Sequence, residues 1–306
     1  MSIENIVVGV DFSEESDRAV QHAVQMARHN GAQLTLLHAS VVPELAPGIE
    51  RDMKRTSDLY PRIVAERVSA ERERLDELRR RISGQGVTVS QMISDDFADT
   101  AILEAAKQVD ADLVVVGTHG RTGIKRFLLG SVAEKVVRVH DGAVMVARGD
   151  ADNAGFARIL VPTDFSPGSE HVFKAATDVA APGARITLLH CWRLPPLGTG
   201  GHHAHDQFVA ELRGDIATAV KAQAAEFFET HKSTQAEVNF VETEMPPGLG
   251  VQTWLEDNEC DLVVMGSHGR RGVRRFILGS VAETTVRHAP CSVLVVRGEV
   301  DQSSGR

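Results

Sequence analysis

Aromatic residues are scarce in this chain, only 5% of its 306 residues, with two tryptophans and one tyrosine. That leaves little material for the stacking platforms on which single-stranded nucleic acids bind. Positive charge is in deficit too. Lys and Arg number 33 against 42 Asp and Glu, for a net −9 at pH 7. A broad phosphate-backbone surface is thereby disfavoured, though a local basic patch is not. No apolar run reaches the ~18–20 residues needed to cross a bilayer. Residues Met1–Asp11 lack a basic stretch followed by an apolar one, so no signal peptide is expected. The three cysteines, Cys191, Cys260 and Cys291, are odd in number, widely spaced and confined to the second half. Such a set points to a reduced, cytoplasmic chain rather than a disulfide framework. There is no G-x4-G-K-[S/T] stretch. The phosphate-gripping lysine and Mg²⁺-holding hydroxyl of an efficient ATPase are therefore missing.

What the chain does have is a repeat of itself. Asp112 opens DLVVVGTHGRTGIKRFLLGSVAEKVVR, and Asp261 opens DLVVMGSHGRRGVRRFILGSVAETTVR. Upstream, Ile6-Val-Val-Gly-Val-Asp-Phe-Ser13 answers Ile159-Leu-Val-Pro-Thr-Asp-Phe-Ser166, and Leu34-Thr-Leu-Leu-His38 answers Ile186-Thr-Leu-Leu-His190. The period is far longer than the ~20–50 residues of a solenoid unit. It marks duplication of a whole domain, with copies over residues 1–149 and 156–298 and a linker near Gly149–Gly155.

Each copy alternates strand and helix. In the first, strands are expected at Ile3–Val10, Leu34–Ala39, Val87–Ile93, Leu113–Val116 and Ala143–Ala147. A helix capped by Ser13, with Glu14 and Glu15 in its first turn, carries Ala19, Val20, Ala23, Val24 and Ala27 on one face and stops at Gly31. Further helices are expected at Ser57–Ser83, Thr100–Val109 and Ser131–His140. Leu113-Val-Val-Val116 is apolar without alternation, as in a strand covered on both faces. Strand–helix alternation says the same. The fold class is therefore α/β: two tandem, doubly wound, five-stranded parallel-sheet domains.

A glycine block follows the buried strand of each copy. Gly117-x-x-Gly120, nine residues and Gly130-Ser131 in the first match Gly266-x-x-Gly269, nine residues and Gly279-Ser280 in the second. Glycine lets backbone N–H groups approach a phosphate with no Cβ between. Ser131 and Ser280 stand where helix N-caps belong, and a helix N-terminus favours an anion. Arg121, Lys125 and Arg126, and Arg270, Arg271, Arg274 and Arg275, could add charge near a polyphosphate or face a partner. Asp11 and Asp164 end the first strands, where a carboxylate can accept from a ribose hydroxyl.

With these residues each half resembles the universal stress protein domain, and nearly the whole chain resembles a tandem member of that family. Its ATP-binding members carry G-x2-G-x9-G-[S/T], which both halves match without a gap. The resemblance implies a Rossmann-like, adenine nucleotide alpha hydrolase-like sheet of strand order 3-2-1-4-5. It implies ATP, AMP or ADP as ligand, with or without Mg²⁺. Val10, Asp11 and Ala39 would border adenine and ribose, and Gly117, Gly120, Gly130, Ser131 and Val132 would hold ribose and phosphates. The matching positions are Thr163, Asp164, Cys191, Gly266, Gly269, Gly279, Ser280 and Val281. The halves differ before the aspartate, where the second has Pro162 and the first Gly9. The family's pairing through its last strand implies an internal pseudo-dimer, with further self-association and protein partners left open.

Other candidates point elsewhere. His119 and His268 lie inside the glycine blocks without a partner carboxylate at fixed spacing, which favours loop packing over base catalysis. His202, His203, His205 and Asp206 match no closed zinc pattern. The run Glu71-Arg-Glu-Arg74 with Arg79–Arg81 reads as a solvated helix face. Cys191, without a neighbouring base, reads as a small apolar residue. The function expected is adenine-nucleotide binding with a regulatory role in stress. A slow ATP hydrolase or adenylating enzyme, and a scaffold with vestigial sites, are the alternatives.

Overall fold

The computed structural model describes residues 2–41, 59–120, 129–151, 155–166, 168–194, 203–230, 236–267 and 278–297, without the side chains of 203–206. The chain divides into two compact units, residues 2–151 and 152–306.

The first domain runs β1 (Asn5–Val10), α1 (Glu14–Asn30), β2 (Gln33–Ala39), α2 (Leu59–Ser83), β3 (Val89–Ser94), α3 (Ala98–Gln108), β4 (Leu113–Gly117), α4 (Ser131–Val139) and β5 (Ala143–Ala147). Its strands lie in the order β3-β2-β1-β4-β5, and the neighbouring pairs are parallel. The second runs β6 (Phe156–Pro162), α5 (Gly168–Val179), β7 (Ala180–Trp192), α6 (His203–Thr230), β8 (Glu237–Glu244), α7 (Pro247–Asp257), β9 (Leu262–Gly266), α8 (Ser280–His288) and β10 (Ser292–Val296). Its order, β8-β7-β6-β9-β10, repeats the first. In both, the order reverses beside the first strand, which opens a crevice at the carboxyl ends of the first and fourth strands.

The central strands are dry. Ile6, Val7, Val8, Leu113, Val114 and Val115 are fully buried, as are Leu262, Val263 and Val264. Each such side chain contributes about 1.5–3 kcal/mol over its exposed state. The aspartates that open the repeated blocks fasten the first strands. Asp112 accepts from the N–H groups of Glu4 and Asn5 at 2.8 and 3.0 Å. Asp261 does the same for Ala157 and Arg158 at 3.1 and 2.8 Å.

Several boundaries differ from the sequence reading for local reasons. α1 starts as read: Ser13 accepts from the Ser16 N–H, and Gly31 ends the helix at φ 67°. β3 begins at Val89, because Thr88 already accepts from the Leu34 N–H ahead of the in-register ladder. α3 begins two residues early, with Phe97 as its cap and Asp99 in the first turn, ion-paired to Lys135. The start expected at Ser57 lies outside the described residues, as do Pro43 and Pro47.

Candidate functional site

The first strand of each domain ends in a strained turn. Phe12 and Phe165 are both left-handed, at φ 63° and 54°. A bulky residue there costs on the order of 1–3 kcal/mol and persists only where neighbours hold it. The preceding aspartates do the holding. Asp11 Oδ1 accepts from the Ser13 N–H at 3.0 Å and the Ser13 hydroxyl at 2.5 Å. Asp164 Oδ1 accepts from the Ser166 N–H at 3.0 Å and the Ser169 hydroxyl at 3.3 Å, while Thr163 Oγ1 accepts from the Phe165 N–H. Both carboxylates sit half-buried at a strand's carboxyl end.

The glycine block folds onto this turn. A Cβ on Gly117 would lie 2.8 Å from the Glu15 carbonyl oxygen at the start of α1. One on Gly120 would lie 2.7 Å from Asp11 Oδ2, and one on Gly130 3.0 Å from the Thr118 carbonyl oxygen. The loop therefore comes close enough to the strand-end carboxylate to leave no room for a side chain. Gly266 ends β9 in the matching position. Gly269, His268 and the basic residues Arg121, Lys125, Arg126, Arg270, Arg271, Arg274 and Arg275 lie outside the described residues.

The helix starts correct one expectation. Ser131 and Ser280 are not N-caps. Gly130 (φ −67°, ψ 150°) and Gly279 (φ −63°, ψ 149°) are, and the serines are the first residues of α4 and α8. The extended glycine supplies no capping oxygen, and its own N–H is committed: Gly130 donates to Thr118 O at 2.7 Å, and Gly279 to Ser267 O at 2.8 Å. The first helical bond is made by Glu134 to Gly130 O. An anion would thus meet the amides of Ser131, Val132 and Ala133, which have no acceptor within the helix. In the second domain these are Ser280, Val281 and Ala282.

A pair of histidines lines the other side. His38 Nδ1 donates to Val10 O at 2.7 Å, and His190 Nδ1 to Thr163 O at 2.8 Å. Each fastens the second strand to the last carbonyls of the first. Beyond that the domains part. His38 Nε2 lies 3.5 Å from Glu71 Oε2, and the Ser40 hydroxyl donates to the same oxygen at 2.5 Å. The Phe12 ring lies against His38 at 4.7 Å, with the Arg74 guanidinium 4.2 Å above it. Phe165 instead stacks on His190 at 5.1 Å among Phe227 and Phe240. Glu71 and Arg74 therefore do more than the solvated face expected of them: one is buried and the other covers an aromatic ring.

Burial pushes the Glu71 carboxyl up. The Ser40 hydrogen bond, the His38 charge and Arg67 outweigh it and hold the group below its ordinary value of 4.5. A depressed carboxyl stabilises the fold above its unfolded pKa and loses that contribution as pH falls through the folded one. Glu71→Ala is accordingly expected to destabilise the first domain at pH 7 by about 1–3 kcal/mol. The gap to wild type should close as the pH drops below 4.5. Urea denaturation at neutral and acid pH reads this directly.

Ala39 ends β2, whereas Cys191 is the last residue but one of β7, which runs on through Trp192. A Cβ on Gly250 would lie 2.6 Å from Cys191 Sγ, so this thiol packs on α7. Burial pushes its pKa up to about 11, which leaves it an inert thiol at neutral pH. Gly9 is small because Ile102 needs the space: a Cβ there would lie 2.9 Å from Ile102 Cδ1. His119 gains a support that its sequence neighbours do not reveal. Its Nδ1 lies 3.0 Å from Thr118 Oγ1, which in turn donates to Glu15 Oε2 at 3.2 Å. This chain orients the ring, with Nδ1 donating to Thr118 Oγ1. Among the described residues no group of three or more His, Cys, Asp or Glu is placed to hold a metal, and no helix is long and apolar enough to cross a membrane.

The left-handed Phe12 and Phe165 and the histidine clamps were not among the expected site residues. Repetition of the Asp-Phe-Ser and Leu-Leu-His segments marks these positions but not their conformation or contacts.

Known proteins carry the same architecture. The model of the universal stress protein family matches residues 2–148 and again 155–297. A universal stress protein of Mycolicibacterium smegmatis is 30% identical over 312 residues, covering 95% of this chain and 96% of its own. One from Mycobacterium tuberculosis is 29% identical over 308 residues at the same coverage. Among solved structures, a universal stress protein from Archaeoglobus fulgidus superposes with a TM-score of 0.62 at 22% identity, covering 97% of both chains, a likeness of fold. Two matches to the family in one chain, over domains of the same strand order, make this protein a tandem member of the universal stress protein family.

Proposed function

We propose that each domain binds an adenine nucleotide, ATP or its ADP and AMP relatives, and that the protein acts in stress by binding rather than by fast catalysis. The observation that carries this reading is the closeness of Gly120 to Asp11 beside a left-handed Phe12. It leaves a loop with no side chain facing a carboxylate at the crevice where open parallel sheets take their ligands. The same strained turn at Phe165 supports a second site.

Asp11 and Asp164 would accept from ribose hydroxyls. Val10, Ala39, Thr163 and Cys191 would border the base. Gly117, Gly120, Gly266 and Gly269 would admit the sugar and phosphates without steric conflict. Gly130 and Gly279 would contribute by shape, as their N–H groups are used, and the amides of Ser131, Val132, Ser280 and Val281 would meet the phosphates. The bound nucleotide supplies the negative charge, with its own Mg²⁺ when it carries one. Occupancy would order the glycine loops and shift a surface read by partner proteins. The three free thiols support a reducing, cytoplasmic setting.

The test is the ligand the protein carries. Nucleotide released by denaturing purified protein and identified by mass spectrometry is expected to be an adenylate. Protein free of nucleotide that also takes up no adenylate at millimolar concentration would end the proposal. The oriented His119 favours an enzyme as a second reading. Turnover above about one per second, within the usual enzyme range, and lost in His119→Ala, would make the protein an enzyme instead.

A further inference from the structure

The second domain holds two cysteines at positions where the first has Ala111 and Gly142. Cys260 precedes β9, and Cys291 precedes β10. The ladder between these strands begins at Ser292 opposite Leu262. One residue earlier on each strand stand Cys291 and Asp261, so Cys260 is the diagonal neighbour of Cys291. Parallel strands about 4.8 Å apart place such diagonal Cα atoms about 5.8 Å from each other, inside the range of about 4.4–6.8 Å that a disulfide spans. Within a regular ladder their side chains would alternate to opposite faces, but both residues precede their strands, where that alternation is not imposed. Cys291 hydrogen-bonds the Cys260 sulfur, and Cys260 donates to Leu262 O at 3.2 Å. Both are free thiols, Cys260 half-buried and Cys291 buried.

We propose that Cys260 and Cys291 form a dithiol that hydrogen peroxide oxidises to an intramolecular disulfide. Cys260 is the attacking group. It is the less buried of the two, and the hydrogen bond from Cys291 holds its thiol below the ordinary value against the upward push of burial. The thiolate form is the nucleophile. The Cys260 thiolate attacks one peroxide oxygen: an S–O bond forms, the O–O bond breaks, and the hydroxide released takes up a proton to leave as water. The Cys291 sulfur then attacks the Cys260 sulfenic acid. The S–S bond forms, the S–O bond breaks, and a second water leaves with the Cys291 proton. Two thiols are oxidised, and one peroxide is reduced by two electrons. Cys191, pushed up to about 11, takes no part. The new bond would close the segment from β9 through the glycine block and α8 into one loop, in the second domain alone. This chemistry needs no nucleotide.

The test counts thiols. The full chain is treated with a small excess of hydrogen peroxide, then denatured and titrated with a thiol reagent. The titre is expected to fall from three to one, with a monomeric mass lower by two hydrogens and a peptide linking Cys260 to Cys291. Cys191→Ser should fall from two thiols to none. Cys291→Ser should stop at a sulfenic acid on Cys260 that dimedone traps. Survival of all three thiols, a disulfide between chains, or a bond to Cys191 would overturn the proposal.

Discussion

A Gly117→Leu variant is expected to bind one adenine nucleotide, against the two expected of the wild-type chain. The reason is steric. The Cβ alone would stand 2.8 Å from the Glu15 carbonyl oxygen, a backbone atom in the first turn of α1. Neither partner can swing aside as a flexible side chain would. To fit the larger residue, the end of β4 must part from α1, and with it the loop that approaches Asp11. The first domain should lose about 1–3 kcal/mol, the usual cost of overpacking, and its site should close. The second domain, with its own copy of every element, should keep its affinity. Calorimetric stoichiometry reads the first effect and thermal unfolding the second. Two nucleotides bound at unchanged affinity would show that the crevice beside Gly117 is not where the ligand sits. Gly120→Ala is the milder companion, because its Cβ would meet the Asp11 carboxylate, a side chain that can rotate.

The second large effect belongs to the aspartates. A carboxylate that accepts from a ribose hydroxyl is worth about 1.5–3 kcal/mol, so Asp11→Ala together with Asp164→Ala should weaken binding roughly tenfold to a hundredfold at each site. Some of that loss would come from the turn, since Asp11 also holds Ser13. Asp11→Asn separates the two roles. Its amide oxygen can still accept from Ser13, so stability should be kept while affinity falls with the lost charge. An alanine double variant that binds within twofold of wild type would remove the aspartates from the site.

Much of this was legible in the sequence because it was written twice. The repeated Asp-Leu-Val-Val block, the strand-end Asp-Phe-Ser and the glycine spacing located the strands, the switch point and the loop. Ser13 and Gly31 declared the ends of α1 by their own chemistry. The cap at α4 was misread because serine is the usual capping residue, whereas here the extended Gly130 takes that place and spends its N–H on Thr118. The supports of the site were hidden for a different reason. His38 meets Glu71, and His119 leans through Thr118 on Glu15. Those partners lie 33 and 104 positions apart, and no local pattern announces contacts that only the crossovers create. Glu71 sat in a charged helix whose period could not tell a buried carboxylate from its exposed neighbours. The left-handed Phe12 was equally silent, since phenylalanine carries no preference for that conformation.

The central claim is two adenylate sites in one chain, and titration calorimetry of ATP into the full-length, nucleotide-free protein tests it most directly. Binding of two equivalents is expected, falling to one in Gly117→Leu. No heat and no uptake at millimolar ATP, from protein that unfolds cooperatively and is free of bound nucleotide, would contradict it.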